Sequence, residues 1–195
     1  MYPFKKFSLG ELKGISSNTH KPVGDPVLYR LITRRYCEFL QKHVPKSITP
    51  NTITWIGLLS ITASFLLTVM LDWTLKNPPR FLHLVNGISV LVYLTTDSLD
   101  GIHARKSNQC SAIGKILDHF VDSNNVFFCL VMLCSTLKIG YSQIFVCLFL
   151  CMLSGFYIVE IVEKYTGYLK FSTISGSSEG LYLMVFFHML AFANP

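Results

Sequence analysis

Charge is scarce in this chain of 195 residues. Asp, Glu, Lys and Arg make up only 14% of it, against about 25% in an ordinary soluble domain. With an apolar fraction of 51% and a mean hydropathy of +0.44, this shortage excludes a disordered polar chain and argues against a soluble globule. Acid is scarcer than base: 11 Asp and Glu stand against 17 Lys and Arg, a net charge of +6. The six cysteines form no C-x-x-C pair, so the spacing signal for a zinc site or dithiol centre is missing. Cys129, Cys134, Cys147 and Cys151 lie inside apolar runs and read as small buried hydrophobes. No internal repeat or low-complexity tract is evident, and residues 1–46 hold no apolar stretch of the kind that marks a cleaved signal.

What the chain has in quantity is apolar sequence near membrane-spanning length. A spanning helix needs roughly 20 mostly apolar residues. Five segments approach that: about 52–71, 81–105, 112–137, 142–162 and 179–193. The expected fold is therefore all-α, a polytopic membrane bundle of about five transmembrane helices. A polar N-terminal segment, 1–25, would precede a membrane domain over 26–195. Within that domain, Val27, Leu28, Leu31, Ile32, Cys37, Phe39 and Leu40 alternate with Arg30, Arg34, Arg35 and Lys42 over about 26–43, which suits an amphipathic helix lying in the membrane interface. Pro45 and Pro50 end it, and Asn51 is the expected N-cap of the first span.

The cations set an orientation. Nine of the 17 precede the first apolar run, a pattern that fits attraction to anionic lipid better than a nucleic-acid patch. With the N-terminus cytoplasmic, that side receives 14 Lys and Arg and the opposite side three, Lys76, Arg80 and Lys138. The N-terminus and the connection between the second and third spans are thus expected to be cytoplasmic.

Four of the eleven acids fall within 26 positions at the facing ends of those two spans. On a helix, Asp97, Asp100, Gly101 and Ala104 share one face, and Gly114, Asp118 and Asp122 form one stripe. Two antiparallel helices joined by a short turn would set these faces opposite each other, with the small residues leaving room for a ligand. An intramembrane Asp costs about 2.5–3.5 kcal/mol on insertion scales, and only Arg105 and Lys115 are near enough in sequence to offset four. An oxygen-only donor set suits one or two hard dications, Mg²⁺, Mn²⁺ or Ca²⁺, and disfavours zinc. Metals at a cationic membrane mouth fit phosphoryl transfer.

The run D-x2-D-G-x2-A-R-x8-G-x3-D-x3-D, from Asp97 to Asp122, resembles the signature of the CDP-alcohol phosphotransferase family. Further features are similar to its eukaryotic cholinephosphotransferase and ethanolaminephosphotransferase branch. These are Pro50-Asn51-Thr52-Ile53-Thr54, the Asp118-His119 and Asp122-Ser123 pairs, and Glu163-Lys-Tyr165-Thr-Gly167 followed by Ser175-Gly176-Ser-Ser-Glu179-Gly180. The resemblance implies an enzyme of the endoplasmic reticulum membrane, with Mg²⁺ or Mn²⁺ as cofactor. It would move phosphocholine or phosphoethanolamine from CDP-choline or CDP-ethanolamine to diacylglycerol and release CMP. It further implies Asp97, Asp100 and Asp118 as metal ligands and Asp122 as ligand or base. Asp97, Gly101, Ala104, Arg105 and Gly114 would line the nucleotide site, Arg105 offering a bidentate fork to phosphate.

For the general base, metal-bound Asp122 is a poor proton acceptor, and His119 fits better. The alternative for His119 is a hydrogen bond that orients an aspartate. His103 stands where the branch more often has Gln and is given no role. Asn51 and Glu179 are candidates for the substrate mouth, Glu179 equally for a helix-start carboxylate. The branch is usually longer with more spans, so the chain reads as a short member or a fragment, its pocket either open to lipid or completed by a partner chain, a homodimer being one such arrangement. Competing readings are a phosphatidyltransferase using CDP-diacylglycerol, an inactive relative serving as a membrane scaffold, and a cation carrier.

Overall fold

The computed structural model describes residues 22–23, 26–166, 169–170 and 177–194. Most of the polar segment 1–25, together with Gly167, Ser175 and Gly176, lies outside them. Strand β1 (Pro22–Val23) precedes a π-helical stretch, Tyr29–Thr33, that runs into α1 (Arg34–Gln41). Four long helices follow: α2 (Pro50–Leu71), α3 (Arg80–Ser107), α4 (Ala112–Thr136) and α5 (Gln143–Thr166). Strand β2 (Leu169–Lys170) pairs in parallel with β1, and α6 (Ser177–Ala193) ends the described chain. The architecture is a helical membrane bundle.

Among the described residues three helices, α2, α4 and α5, are long and apolar enough to cross a membrane, where the sequence pattern suggests five. Helix α3 has the length, 28 residues, but carries Arg80, Asp97, Asp100, Arg105 and Lys106. Helix α6 has 17 residues, short of the roughly 20 that a bilayer needs. Both pack with the others all the same: α3 lies along α2 and α6, and α1 crosses it.

Local chemistry explains where the helices begin and end. The cap of α2 is Thr49, not the expected Asn51: Thr49 Oγ1 accepts from Thr52 N–H at 3.4 Å. Pro50 follows it, with no N–H to offer and a φ already helical. Helix α3 stops at Asn108, whose φ of +56° is left-handed, a conformation Asn tolerates better than most residues. Three residues on, Ser111 Oγ accepts from Gly114 N–H at 3.0 Å and starts α4. So short a connection makes α3 and α4 antiparallel neighbours.

Three apolar clusters stack along the bundle. Ile61, Val90, Tyr93, Val121, Cys129, Met132 and Met184 form the centre. At one end Cys37 of α1 meets Ile53, Leu99 and Ile102. There the buried His103 bridges elements: its Nε2–H donates to Ile48 O at 2.9 Å and its Nδ1 accepts from Gln41 Nε2 at 3.5 Å. The opposite end holds Leu75, Leu130, Val131 and Cys134, closed by Asp72 just past α2. Asp72 accepts from Ser135 Oγ at 2.7 Å, Thr74 Oγ1 at 3.2 Å, and the N–H groups of Lys76 and Asn77 at 3.1 and 3.2 Å. Burial pushes the Asp72 carboxyl up, but these four donors, led by Ser135, outweigh it and hold the group below its ordinary value.

Polar side chains also tie the spans together inside the apolar mass, as membrane bundles use them. Ser64 and Thr68 of α2 donate to Asn86 Oδ1 of α3 at 2.7 and 3.1 Å. His83 and His188, both buried, reach the Thr136 hydroxyl from either side at 3.1 and 2.8 Å.

Candidate functional site

Packed against α2 and joined by the short turn at 108–111, α3 and α4 bring acidic side chains together. One carboxylate oxygen from each of Asp97, Asp118 and Asp122 lies within 4.8 Å of the others. Asp122 is oriented by Tyr93, one turn before Asp97 on α3, whose hydroxyl donates to Asp122 Oδ1 at 2.5 Å. Asp100 is not in this set. It is buried, 6% exposed, and its Oδ2 accepts from the Thr54 hydroxyl of α2. A third helix thereby fixes the fourth acid.

The donors suit a hard cation. They are carboxylate oxygens only, and Asp118 Oδ1 is buried without a hydrogen-bond partner. The one cation of α4 near them, Lys115, is committed elsewhere: its Nζ lies 2.5 Å from Glu163 Oε1. Negative charge at membrane depth with no counterion is costly, and a hard divalent cation would answer both the charge and the oxygen donors.

Beside the acids the small residues of the motif let neighbouring polar side chains lie against the backbone. The Arg105 guanidinium folds back over Gly101, so a Cβ there would stand 3.3 Å from Nη1. A Cβ on Gly114 would meet Ser111 Oγ at 3.0 Å and Asn51 Oδ1 at 3.1 Å. Asn51, released from capping, therefore adjoins Gly114 at the start of α4. Ala104 is half-buried and Arg105 exposed. Glu179 is engaged at a helix start: its Oε1 accepts from Leu28 N–H at 3.1 Å, in the first turn of the helix leading into α1.

The His119 ring also meets the glutamates of α5. Its Nδ1 lies 2.7 Å from Glu160 Oε2 and its Nε2 lies 3.8 Å from Glu163 Oε2. Sequence reasoning gave Glu160 no part in the site and used Glu163 only as a point of resemblance. Their signal was available, because two carboxylates three residues apart in an otherwise apolar helix need partners. Tyr93 and Thr54 gave no such signal, since Tyr and Thr are ordinary on the buried faces of spans.

Comparison with known proteins agrees with this geometry. The chain is 36% identical over 179 residues to a CDP-diacylglycerol–serine O-phosphatidyltransferase of Encephalitozoon cuniculi, covering 91% of this chain and 47% of that protein. It is 30% identical over 152 residues to choline/ethanolaminephosphotransferase 1 of Saccharomyces cerevisiae, covering 77% and 38%. To cholinephosphotransferase 1 of Xenopus laevis it is 29% identical over 163 residues, covering 82% and 40%. The chain thus spans about half or less of the length of these relatives. The model of the CDP-alcohol phosphatidyltransferase family matches residues 47–193, a stretch that contains every acid of the cluster, both glutamates of α5 and the small residues beside them, and the chain belongs to that family.

Proposed function

We propose that this chain carries the catalytic half of a membrane phospholipid synthase. It moves phosphocholine or phosphoethanolamine from the CDP-activated form to the hydroxyl of diacylglycerol. The observation that carries this is the convergence of Asp97, Asp118 and Asp122 within 4.8 Å, next to Gly101, Arg105 and Gly114. The cytoplasmic placement of the site and residence in the endoplasmic reticulum belong to the same proposal, on the cation count and the resemblance. So does the division into a polar segment 1–25 and a membrane domain 26–195.

In the reaction, the lipid hydroxyl oxygen bonds to the phosphorus bearing the amino alcohol. The bond from that phosphorus to the bridging oxygen breaks, and the electron pair leaves on CMP. Asp97, Asp118 and Asp122, with Asp100 behind them, would hold one or two Mg²⁺ or Mn²⁺ ions, which supply charge neutralisation at the phosphate oxygens. Tyr93 and Thr54 hold Asp122 and Asp100 in place. Arg105, folded over Gly101, is positioned to fork onto phosphate oxygens. Gly114 and Asn51 bound the floor on which the nucleotide lies. His119 takes the hydroxyl proton; of the two sequence alternatives, the contact of its Nδ1 with Glu160 rather than with an aspartate favours this one.

A second reading has one observation behind it, the 36% identity to a protein named as using CDP-diacylglycerol and serine. The acidic site serves either donor. The Asp118-His119 and Asp122-Ser123 pairs support the amino-alcohol donor. The test is release of labelled CMP by the full chain in lipid vesicles with Mn²⁺. CDP-choline or CDP-ethanolamine with diacylglycerol is expected to be consumed. Consumption of CDP-diacylglycerol with serine instead selects the second reading, and no CMP from any donor refutes both.

A further inference from the structure

We infer that Glu160 is a positioning residue for His119, supplied by α5 to a site whose acids come from α3 and α4. The inference rests on the proposed role of His119 as proton acceptor. Its structural basis is a single short contact and the way the neighbouring charges are divided.

Two glutamates flank the His119 ring, and they are not equivalent. Glu163 is buried, and its Oε1 is held by the Lys115 ammonium at 2.5 Å. Its Oε2 lies 3.8 Å from His119 Nε2, beyond hydrogen-bonding distance. Glu160 Oε2 lies 2.7 Å from His119 Nδ1, within it. A carboxylate at a hydrogen bond only accepts, so Nδ1 carries the proton and the ring is locked in one tautomer and one orientation. The other nitrogen, Nε2, is then the one that bears a lone pair in the neutral ring. A carboxylate fixing an imidazole from its far side is the arrangement by which a histidine is held ready to accept a proton.

The placement of Glu160 argues the same way. It stands in a helix that is otherwise uncharged from Gln143 up to it. A carboxylate at that depth costs free energy unless a partner is provided. Lys115 serves Glu163, which leaves the imidazole of His119 for Glu160. His119 is one position off the Asp118 line and its Nδ1 meets Glu160, so a contact from the neighbouring helix fixes the ring.

The test uses the full chain in vesicles and the CDP donor it turns over. E160L should lower kcat roughly ten- to hundredfold with donor KM within twofold, while E160Q, which keeps an acceptor oxygen, retains most activity. In the H119A background E160L should cost nothing further, since Glu160 acts only through that ring. An E160L kcat within twofold of the unaltered chain, an equal rise in donor KM, or an additive loss in the H119A background overturns the assignment. H119A with unchanged kcat overturns it too, but by removing the proton-acceptor role itself, whereas a slow H119A with a fast E160L removes Glu160 alone. A readout free of turnover accompanies these: ¹⁵N-histidine NMR should show the Nδ1-protonated tautomer at His119, lost in E160L and kept in E160Q. The other tautomer in the unaltered chain refutes the geometry.

Discussion

Replacing Asp118 by Asn should move stability and activity in opposite directions. Asp118, Asp97 and Asp122 place carboxylate oxygens within 4.8 Å of one another. At that separation, with an effective dielectric near 20, each ionised pair repels by about 3.5 kcal/mol. Asp118 takes part in two such pairs, and its Oδ1 has no hydrogen bond to lose. Residual solvent and proton uptake by the cluster reduce the repulsion that is felt, leaving a gain of about 1–3 kcal/mol for the isosteric amide. In EDTA the variant should therefore unfold roughly 3 °C or more above the unaltered chain. Adding Mn²⁺ should raise the midpoint of the unaltered chain, by linkage to binding, and raise that of Asp118→Asn much less. Turnover should be lost, because a donor oxygen and a charge are gone. Thermal unfolding by intrinsic fluorescence with and without Mn²⁺, alongside CMP release, reads all three. A variant that is less stable in EDTA, or that keeps both the Mn²⁺ shift and its activity, would refute the convergence of these acids on a cation.

Three further outcomes are expected. Gly114→Leu should raise donor KM at least tenfold with little change in unfolding midpoint, since its side chain would enter the space bounded by Ser111 Oγ and Asn51 Oδ1; Gly114→Ala, which those atoms can accommodate by small shifts, should do much less. Asp72→Ala should cost about 2–4 kcal/mol of stability by stranding the buried Ser135 hydroxyl and two backbone N–H groups, with donor KM unchanged because Asp72 lies at the other end of the bundle. As the folded Asp72 carboxyl lies below its ordinary value, its contribution is complete above the unfolded carboxylate range near pH 4 and fades as pH falls through the lower folded value. The gap between Asp72→Asn and the unaltered chain should close in that acid window and stay constant from pH 5 to 8. Lys115→Ala leaves Glu163 buried without its ammonium and should destabilise by about 1–3 kcal/mol, most of it recovered in Lys115→Ala/Glu163→Gln as measured by the same unfolding assay.

The helices and the acidic centre were legible because both are written in local patterns. Apolar length located α2, α4 and α5 to within a few residues, and the i, i+4 repeat of Asp118 and Asp122 placed them on one stripe facing Asp97. Capping was misjudged where two polar residues flank a proline: Thr49 and Asn51 are both competent caps, and the geometry of Pro50 decides between them. Of the five expected spans, α3 falls outside the length-and-hydropathy criterion because the helix that carries the acids must carry charge, and α6 because it has 17 residues. Asp100 was read with Asp97 from their shared face; its hydrogen bond from the Thr54 hydroxyl of α2 is a contact that no pattern within α3 records. Two carboxylates in α5 signalled that partners were needed, but the identity of those partners, 48 and 41 residues away in the chain, was not written in any local pattern.

Those partners bear on how α5 is seated at all. Between apolar helices in lipid, exchanging one greasy face for another changes the free energy little, so apolar surface alone sets neither the rotation of a span about its axis nor its depth. Helix α5 meets the bundle mainly through α4, and Ile144, Val146, Leu150, Leu153, Tyr157 and Ile158 are all exposed on it. What distinguishes one rotation from another is the pair of contacts at its far end, Lys115 with Glu163 and His119 with Glu160. Both α4 residues lie beside Asp118, one a turn before it and one directly after. The charges that seat α5 and the histidine we propose as proton acceptor are therefore held by the same turn of α4. A variant that frees α5 must loosen the histidine with it, and metal bound at Asp118 and Asp122, by stiffening that turn, would hold α5 as well.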